Sequence, residues 1–436
     1  MNENVSGKQN LKKYIKSIFT LVSGTSIAHG IVIIISPLLT RLYTPDEFGV
    51  LALYVSILSV LVVVSSLKYE LAIPLSKEER EAKSLVILSI NIVFIFSFII
   101  GVSIFLFQNW FKYKIHSNEQ VASWFMCLLP FSLLGAGVYT IFNYWAVRKG
   151  YYRLIARTRI RQSTVQVFTQ VVCGIFNFGA AGLLIGDMLG RISGGWRLAI
   201  TVFREKGFFI GVTLEEIKSS AMSYKKFPLL STWSSLLNSF SLQFPIFMCS
   251  FMFGSTVAGL YSLTHRIVGA SLNIIGQAVS QVYLNALSIY IHTNPVKLKQ
   301  LFLINTKYLL LLSIFPFIIL MVMGPWIFEN IFGASWKEAG VYLRLLGVMY
   351  MLQFVIGPLS QTLNMLGKQE KQLMWDLITL LLGIGSFSVS MYYNLTPRET
   401  IFLYGLTMSA SYIFMFVLIY REINKMYAQK ITLTNK

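Results

Sequence analysis

The sequence predicts an all-α integral membrane protein of about 12 transmembrane helices. Three observations predict it. The first is composition: of 436 residues, 55% are hydrophobic and 13% charged, with a mean hydropathy of +0.64. No soluble chain of this size hides that much apolar surface, so its solvent is lipid. The second is run length. About twelve apolar runs reach the roughly 20 residues that a spanning helix needs. The third is the absence of alternation: unbroken apolar runs suit helices, whereas barrel strands would alternate with period two.

The runs lie near 15–40, 47–67, 84–107, 121–146, 158–178, 181–203, 229–252, 256–284, 301–324, 339–363, 373–393 and 400–420. The fifth and sixth share a very short turn at Asn177 to Ala181. The first is interrupted by Gly24, Gly30 and Pro37 and carries His29 near its middle. A helix that only anchors has no use for those features; one that bends around a polar cargo does.

Basic residues set the orientation. With the N-terminus inside, one side collects Lys8, Lys12, Lys13 and Lys16, then Lys68, Lys77, Arg80 and Lys83. Arg148, Lys149, Arg153, Arg157, Arg159 and Arg161 follow on that side, as do Arg204, Lys206, Lys218, Lys225 and Lys226. The other side holds Lys112, Lys114, Lys337 and Arg398, with Arg41 at a helix end. This asymmetry places both termini in the cytoplasm and accounts for most of the net charge of +19. Nucleic acid is not expected as a partner, because the basic residues are scattered between spans.

Cys127, Cys173 and Cys249 lie far apart within apolar runs and read as small packing residues, with no disulfide or metal site. No small-residue cleavage motif follows the first apolar run, so no removable leader is expected. Trp110, Trp326, Trp336 and Trp375 stand where membrane interfaces should be and read as anchors. Asn394-Leu-Thr396 matches a glycosylation sequon, a pattern common by chance.

The runs fall into two sets of six. The expected organisation is an N-terminal lobe over 1–203, a linker over 204–228, a C-terminal lobe over 229–420 and a cytoplasmic tail over 421–436. Within the linker, Leu214, Ile217 and Ala221 share one face of a short interfacial helix, although a plain linker fits as well. The halves echo each other. Thr44-Pro-Asp-Glu-Phe-Gly-Val50 enters the second span and Gly254-Ser-Thr-Val-Ala-Gly-Leu260 the eighth, while Pro37 in the first span has a counterpart in Pro245 in the seventh. Repeats with Gly- and Pro-interrupted helices at matching places point to a transporter. Gly24, Gly30, Pro37 and Pro245 are therefore the hinge candidates.

A charge at bilayer depth costs several kcal/mol, so depth singles out residues. His29, Asp187, Arg191, His265 and Arg266 lie well inside their spans, counting about 1.5 Å per residue. Arg41, Arg197, Lys307, Arg344 and Asp376 lie near helix ends, where snorkelling explains them. Asp187 and Arg191 stand four residues apart and form either a local ion pair or a gated pair. Arg266 is the first substrate candidate, because a guanidinium forks onto phosphate and stays charged. His265 points elsewhere, about 100° away on the helix. His29 is either a hydrogen-bonded interior histidine or a group that titrates near neutrality. The deep charges are mainly cationic, which suits an anionic cargo. Asp187 is the single ion-coupling candidate.

No phosphate-binding Gly-rich Lys-Ser/Thr loop, metal-ligand cluster or nucleophile–base arrangement appears, so neither a metal, a cofactor nor catalysis is expected. The longest outer loops, near 108–120 and 325–338, are short for a glycan polymerase or glycosyltransferase.

Ser23-Gly-Thr25, Ser36-Pro37, Arg41-Leu-Tyr-Thr-Pro-Asp-Glu-Phe-Gly49 and Lys68-Tyr-Glu-Leu-Ala-Ile-Pro74 resemble the Wzx-type O-antigen and polysaccharide flippases. These form a branch of the MOP superfamily, alongside MATE exporters and the lipid II flippase MurJ. Gly259-Leu-Tyr261 with Arg266, and Ile331-Phe-Gly333 with Lys337-Glu-Ala339, look like second-half counterparts. Lys68 stands where many relatives carry Arg.

The resemblance implies two pseudo-symmetric six-helix lobes in a MATE-like V around a central cationic cavity, in the bacterial inner membrane. It implies translocation of an undecaprenyl-pyrophosphate-linked oligosaccharide to the outer leaflet by alternating access, coupled to an H+ or Na+ gradient. Arg41 and Arg266 are comparable with cavity arginines of the lipid II flippases, with Arg191 in support. A polysaccharide polymerase and a chain-length regulator are the protein partners that go with such a cargo. A MATE-like multidrug or ion antiporter is the nearest alternative; it would need deep carboxylates, which are scarce.

Overall fold

The computed structural model describes residues 2–107, 119–204, 212–293 and 295–434. Trp110, Lys112, Lys114, Lys206 and Lys436 lie outside the described residues. Twelve long helices are present among those described: α1 (Asn2–Leu42), α2 (Pro45–Ser65), α3 (Glu79–Leu106), α4 (Glu119–Arg148), α5 (Tyr152–Ile175), α6 (Ala180–Phe203), α7 (Thr232–Phe253), α8 (Ser255–Thr293), α9 (Pro295–Phe332), α10 (Lys337–Ile356), α11 (Gln369–Tyr392) and α12 (Pro397–Thr434). Each overlaps one expected apolar run. Among the described residues, nine stretches are long and apolar enough to cross a membrane on composition alone. α5, α6 and α8 are not among them. α5 opens on four arginines, and α6 carries Asp187, Arg191 and Arg197. Two of these three helices, α6 and α8, carry Asp187, Arg191, His265 and Arg266.

Local sequence sets several helix starts. Thr44 caps α2, its hydroxyl accepting from the Glu47 amide while the Glu47 carboxylate accepts from the Thr44 amide. Pro45 occupies the first turn, where its missing N–H costs nothing. Thr396 and Glu399 repeat the arrangement before α12. Thr213 and Glu216 repeat it before a short helix, Leu214–Ser223. Each such box is worth about 1 kcal/mol.

The chain divides into two compact units. The first comprises residues 1–247 and 254–259. One core of this unit joins α3, α4 and α6 through Leu85, Val93, Phe142, Trp145 and Leu198. The short helix packs on α3, and Arg80 pairs with Glu216 at 2.6 Å. Ser220 is buried, Ile217 is half-buried and Ala221 packs against the core, whereas Leu214 at the start of the expected apolar face is exposed.

The second unit comprises 248–253 and 260–436. α9 and α10 meet backbone to backbone: a Cβ on Gly340 would collide with the Gly324 carbonyl. Pro325 removes the amide that would take the Met321 carbonyl within α9. Arg344 of α10 supplies the replacement, its Nε donating to Met321 O at 2.8 Å and Nη2 to Val322 O at 2.9 Å. Arg344 is thus held by protein carbonyls rather than snorkelling from a helix end.

Three further expectations change. Trp336 is fully buried rather than an interface anchor, while Trp326 stays exposed. α9 continues to Phe332, so the loop expected over 325–338 shrinks to Gly333–Trp336. Cys127 is exposed, unlike the buried Cys249.

Candidate functional site

In the first unit, α6 carries the candidate pair Asp187 and Arg191 and packs on α5. These antiparallel helices mesh by a glutamine–glycine ladder. Gln162, Gln166 and Gln170 recur every fourth residue on α5, and Gly194, Gly190 and Gly186 do so on α6. Gly194 seats the Gln162 side chain, Gly190 the Gln166 Cβ and Gly186 the Gln170 stem. Gln170 Nε2 donates to Leu183 O at 3.1 Å, and the Gln170 backbone carbonyl accepts from the Tyr43 hydroxyl at 2.6 Å. The two four-residue repeats are visible in the sequence, but their meeting is not.

The ladder frames Asp187 and Arg191. Arg191 Nε lies 2.6 Å from Asp187 Oδ2, and Nη2 lies 3.2 Å from Oδ1. Asp187 is buried, and Arg191 is partly so. The pair is therefore closed and bidentate, a geometry that offsets much of the cost of burying each charge.

The other expected residues lie on α1, α7 and α8. His29 is exposed on α1, and Arg41 is exposed at its last turn, about 18 Å farther along at 1.5 Å per residue. Pro37 lies within α1 and Pro245 within α7. Gly24 touches Ala156 so closely that a Cβ would collide, while Gly30 faces open space. In the second unit, His265 is exposed and stacks on Tyr261, with ring centroids 6.2 Å apart and planes 3° apart. Its Nδ1 lies 3.4 Å from the hydroxyl of the buried Tyr350. Arg266, the next residue, is half-buried.

The two echoed turns meet within the first unit. Gly49 lies against the Ser255 carbonyl, and Gly259 lies against the Pro45 carbonyl. Both matches are 210 residues apart, 45 with 255 and 49 with 259, so the contact is reciprocal. Asp46 accepts from the Ser255 hydroxyl and, at 3.3 Å, from that of Thr256. Only glycine allows this approach, since any Cβ would enter the opposing carbonyl.

The segment Lys68–Pro74 forms a joint after α2. Leu67 and Lys68 take φ of 50° and 61°, a left-handed turn unusual for such residues. Arg148 gathers the following chain, donating to the Ile73 carbonyl at 3.0 Å and the Ser76 carbonyl at 2.6 Å. Glu70 is buried, accepting from Ser66 at 2.5 Å with Lys68 at 3.8 Å. Burial pushes its carboxyl above the ordinary value, against the pull of Ser66 and Lys68.

Residues 38–341 match the family described as polysaccharide biosynthesis protein. The chain belongs to that family. An amylovoran biosynthesis protein, AmsL of Erwinia amylovora, is 21% identical over 214 residues, which is 49% of this chain and 51% of that protein. The chain thus spans about half the length of this curated relative. Among solved structures, the lipid II flippase MurJ in an inward closed conformation superposes with a TM-score of 0.72 at 12% identity, over 92% of this chain and 89% of that one. An inward-facing multidrug resistance MATE family transporter of the MOP superfamily gives 0.69 at 17% identity, over 93% and 96%. A MOP superfamily transporter from Pyrococcus furiosus gives 0.60 at 16%, over 94% and 96%. Likeness at such identities shows the fold, an all-α membrane protein of MOP type. Family and fold together make the chain a multi-pass membrane protein of a polysaccharide biosynthesis family.

Proposed function

We propose that this protein flips an undecaprenyl-pyrophosphate-linked oligosaccharide from the cytoplasmic to the outer leaflet of a bacterial inner membrane, with both termini cytoplasmic. The observation that carries the reading is the balance of charge among the candidate residues. Asp187, the one deep carboxylate expected from the sequence, is taken up by Arg191, while Arg41 makes no hydrogen bond or ion pair among the described residues. The charge left over is cationic and suits a diphosphate. A sugar-bearing anion cannot cross hydrocarbon without a polar path. The family match supports a polysaccharide precursor as cargo.

In this reading Arg266 of the second unit and Arg41 of the first are each a cationic contact for the diphosphate-bearing cargo, and His265 and His29 are polar ones. Opening of the Asp187–Arg191 pair is the step at which H+ or Na+ enters, and alternating access is the transport cycle. The test is polysaccharide display in cells carrying Arg266→Ala or Arg41→Ala, with membrane abundance matched. Display should fall at least about tenfold, as expected when a charge-assisted contact worth over about 1.4 kcal/mol is lost. Full display in both variants would overturn the assignment. A cation exporter would instead leave display intact and change drug tolerance.

A further inference from the structure

α5 carries a second cationic feature that the transport reading does not use. Its sequence contains Arg153, Arg157, Arg159 and Arg161 and no acidic residue. Arg159 turns toward α1, where Nη1 donates to Thr25 Oγ1 at 2.8 Å. The other three recur every fourth residue, which places them within about 80° on one face. All three are exposed. None makes a hydrogen bond or ion pair among the described residues. This face points away from the glutamine ladder, since residues 162, 166 and 170 lie on the opposite side of the helix.

The same face changes character along its length. Beyond Arg161 it continues through Thr164 to Phe168 and Ile175, which are 68% and 62% exposed. One exposed stripe therefore offers guanidinium groups at one end and apolar side chains at the other. That sequence of chemistry matches a phospholipid, phosphate first and acyl chain after. The three arginines span about 12 Å along the axis. A head-group layer is about 5–7 Å thick on each side of a hydrocarbon core of about 30 Å. The ladder is longer than the layer, so its guanidinium groups cannot all sit at the usual phosphate depth. Drawing an anionic phosphate onto Arg161, the arginine nearest the apolar end, costs less than leaving its charge against hydrocarbon.

We propose that Arg153, Arg157 and Arg161 form a binding site for the phosphate of an anionic glycerophospholipid, with Phe168 and Ile175 against its acyl chain. The occupant is a lipid of the surrounding bilayer, and the site is separate from the cargo residues. It holds the outer face of α5 in register with the membrane.

The test uses the full-length protein in detergent with added lipid. Phosphatidylglycerol should raise the thermal unfolding midpoint more than phosphatidylcholine does, and the difference should shrink at high salt. Native mass spectrometry should show retained phosphatidylglycerol. The triple variant Arg153→Gln, Arg157→Gln, Arg161→Gln should lose at least half of the phosphatidylglycerol-specific shift and of the retained lipid. The corresponding triple Lys variant should keep part of both, because it keeps charge without the fork. Should the triple Gln variant fail to fold, Arg157→Gln alone is expected to give a smaller loss in the same direction. An unchanged shift in a folded Gln variant overturns the proposal, as does a wild-type protein that does not distinguish the two lipids. A shift produced by undecaprenyl diphosphate and not by phosphatidylglycerol also overturns it, and assigns the ladder to the cargo.

Discussion

In the first unit, α5 and α6 close by seating Gln162, Gln166 and Gln170 on Gly194, Gly190 and Gly186. In the second, α9 and α10 close by backbone on backbone at Gly324 and Gly340. Both pairs rely on glycine for close approach, as expected where lipid provides no hydrophobic drive for helices to associate. They differ in what fills the seam. The first seam is side chains with polar ends and holds an ion pair at its edge. The second is backbone on backbone at Gly324 and Gly340, with the Met321 side chain seated on Gly347, and the carbonyl freed by Pro325 is met by Arg344. A side-chain seam can repack; a backbone seam cannot. The difference assigns adaptability to the first pair and rigidity to the second.

The largest effect is expected where the first seam holds charge. Arg191→Gln leaves Asp187 buried without its partner, at a cost of about 3–5 kcal/mol. A lower thermal unfolding midpoint in detergent would register it. Asp187→Asn combined with Arg191→Gln should recover most of the loss. Equal instability of single and double variants would mean that the pair does not govern the seam.

The seams themselves are compared by adding one methyl group to each. Gly340→Ala drives a Cβ into the Gly324 backbone and should cost about 1–3 kcal/mol. Gly194→Ala meets only the Gln162 side chain, which can swing away, and should cost under about 1 kcal/mol. Similar losses in the two unfolding midpoints would erase the distinction between a yielding seam and a rigid one.

The smallest effect concerns two buried carboxylates. Glu422 in the second unit is met by Lys371 and Lys425. Glu70 in the first has Lys68 alone at 3.8 Å, and burial raises its pKa above the ordinary 4.5. A raised folded-state pKa gives stability that is full below the ordinary value and lost as pH rises through the raised one. Glu70→Gln should therefore be modestly more stable than the parent at pH 8, and the gap should close toward pH 4. A gap that widens on acidification would show that Lys68 outweighs burial.

Much of the fold was legible in the sequence because lipid imposes a length and a polarity on every helix. The apolar runs locate all twelve long helices, and the Asp187–Arg191 spacing announces its pair. The echo between Thr44–Val50 and Gly254–Leu260 was also legible, as a similarity. Its meaning was not, because no periodicity says that Gly49 rests on Ser255 while Gly259 rests on Pro45. Trp336 was misread for a related reason. Its place between spans suggests an interface, but burial depends on which helices close over it.

The sequence by itself determined an all-α membrane protein, the positions of its helices and the excess of cationic over acidic groups at depth. Those follow from composition and local spacing, which act along one helix at a time. The tertiary structure alone decided which glycines are contacts, which arginine repairs a proline break and which arginines are left bare on α5. Those depend on what a neighbouring helix presents at the same height, and residues such as Gln162 and Gly194 or Met321 and Arg344 become neighbours only through the fold.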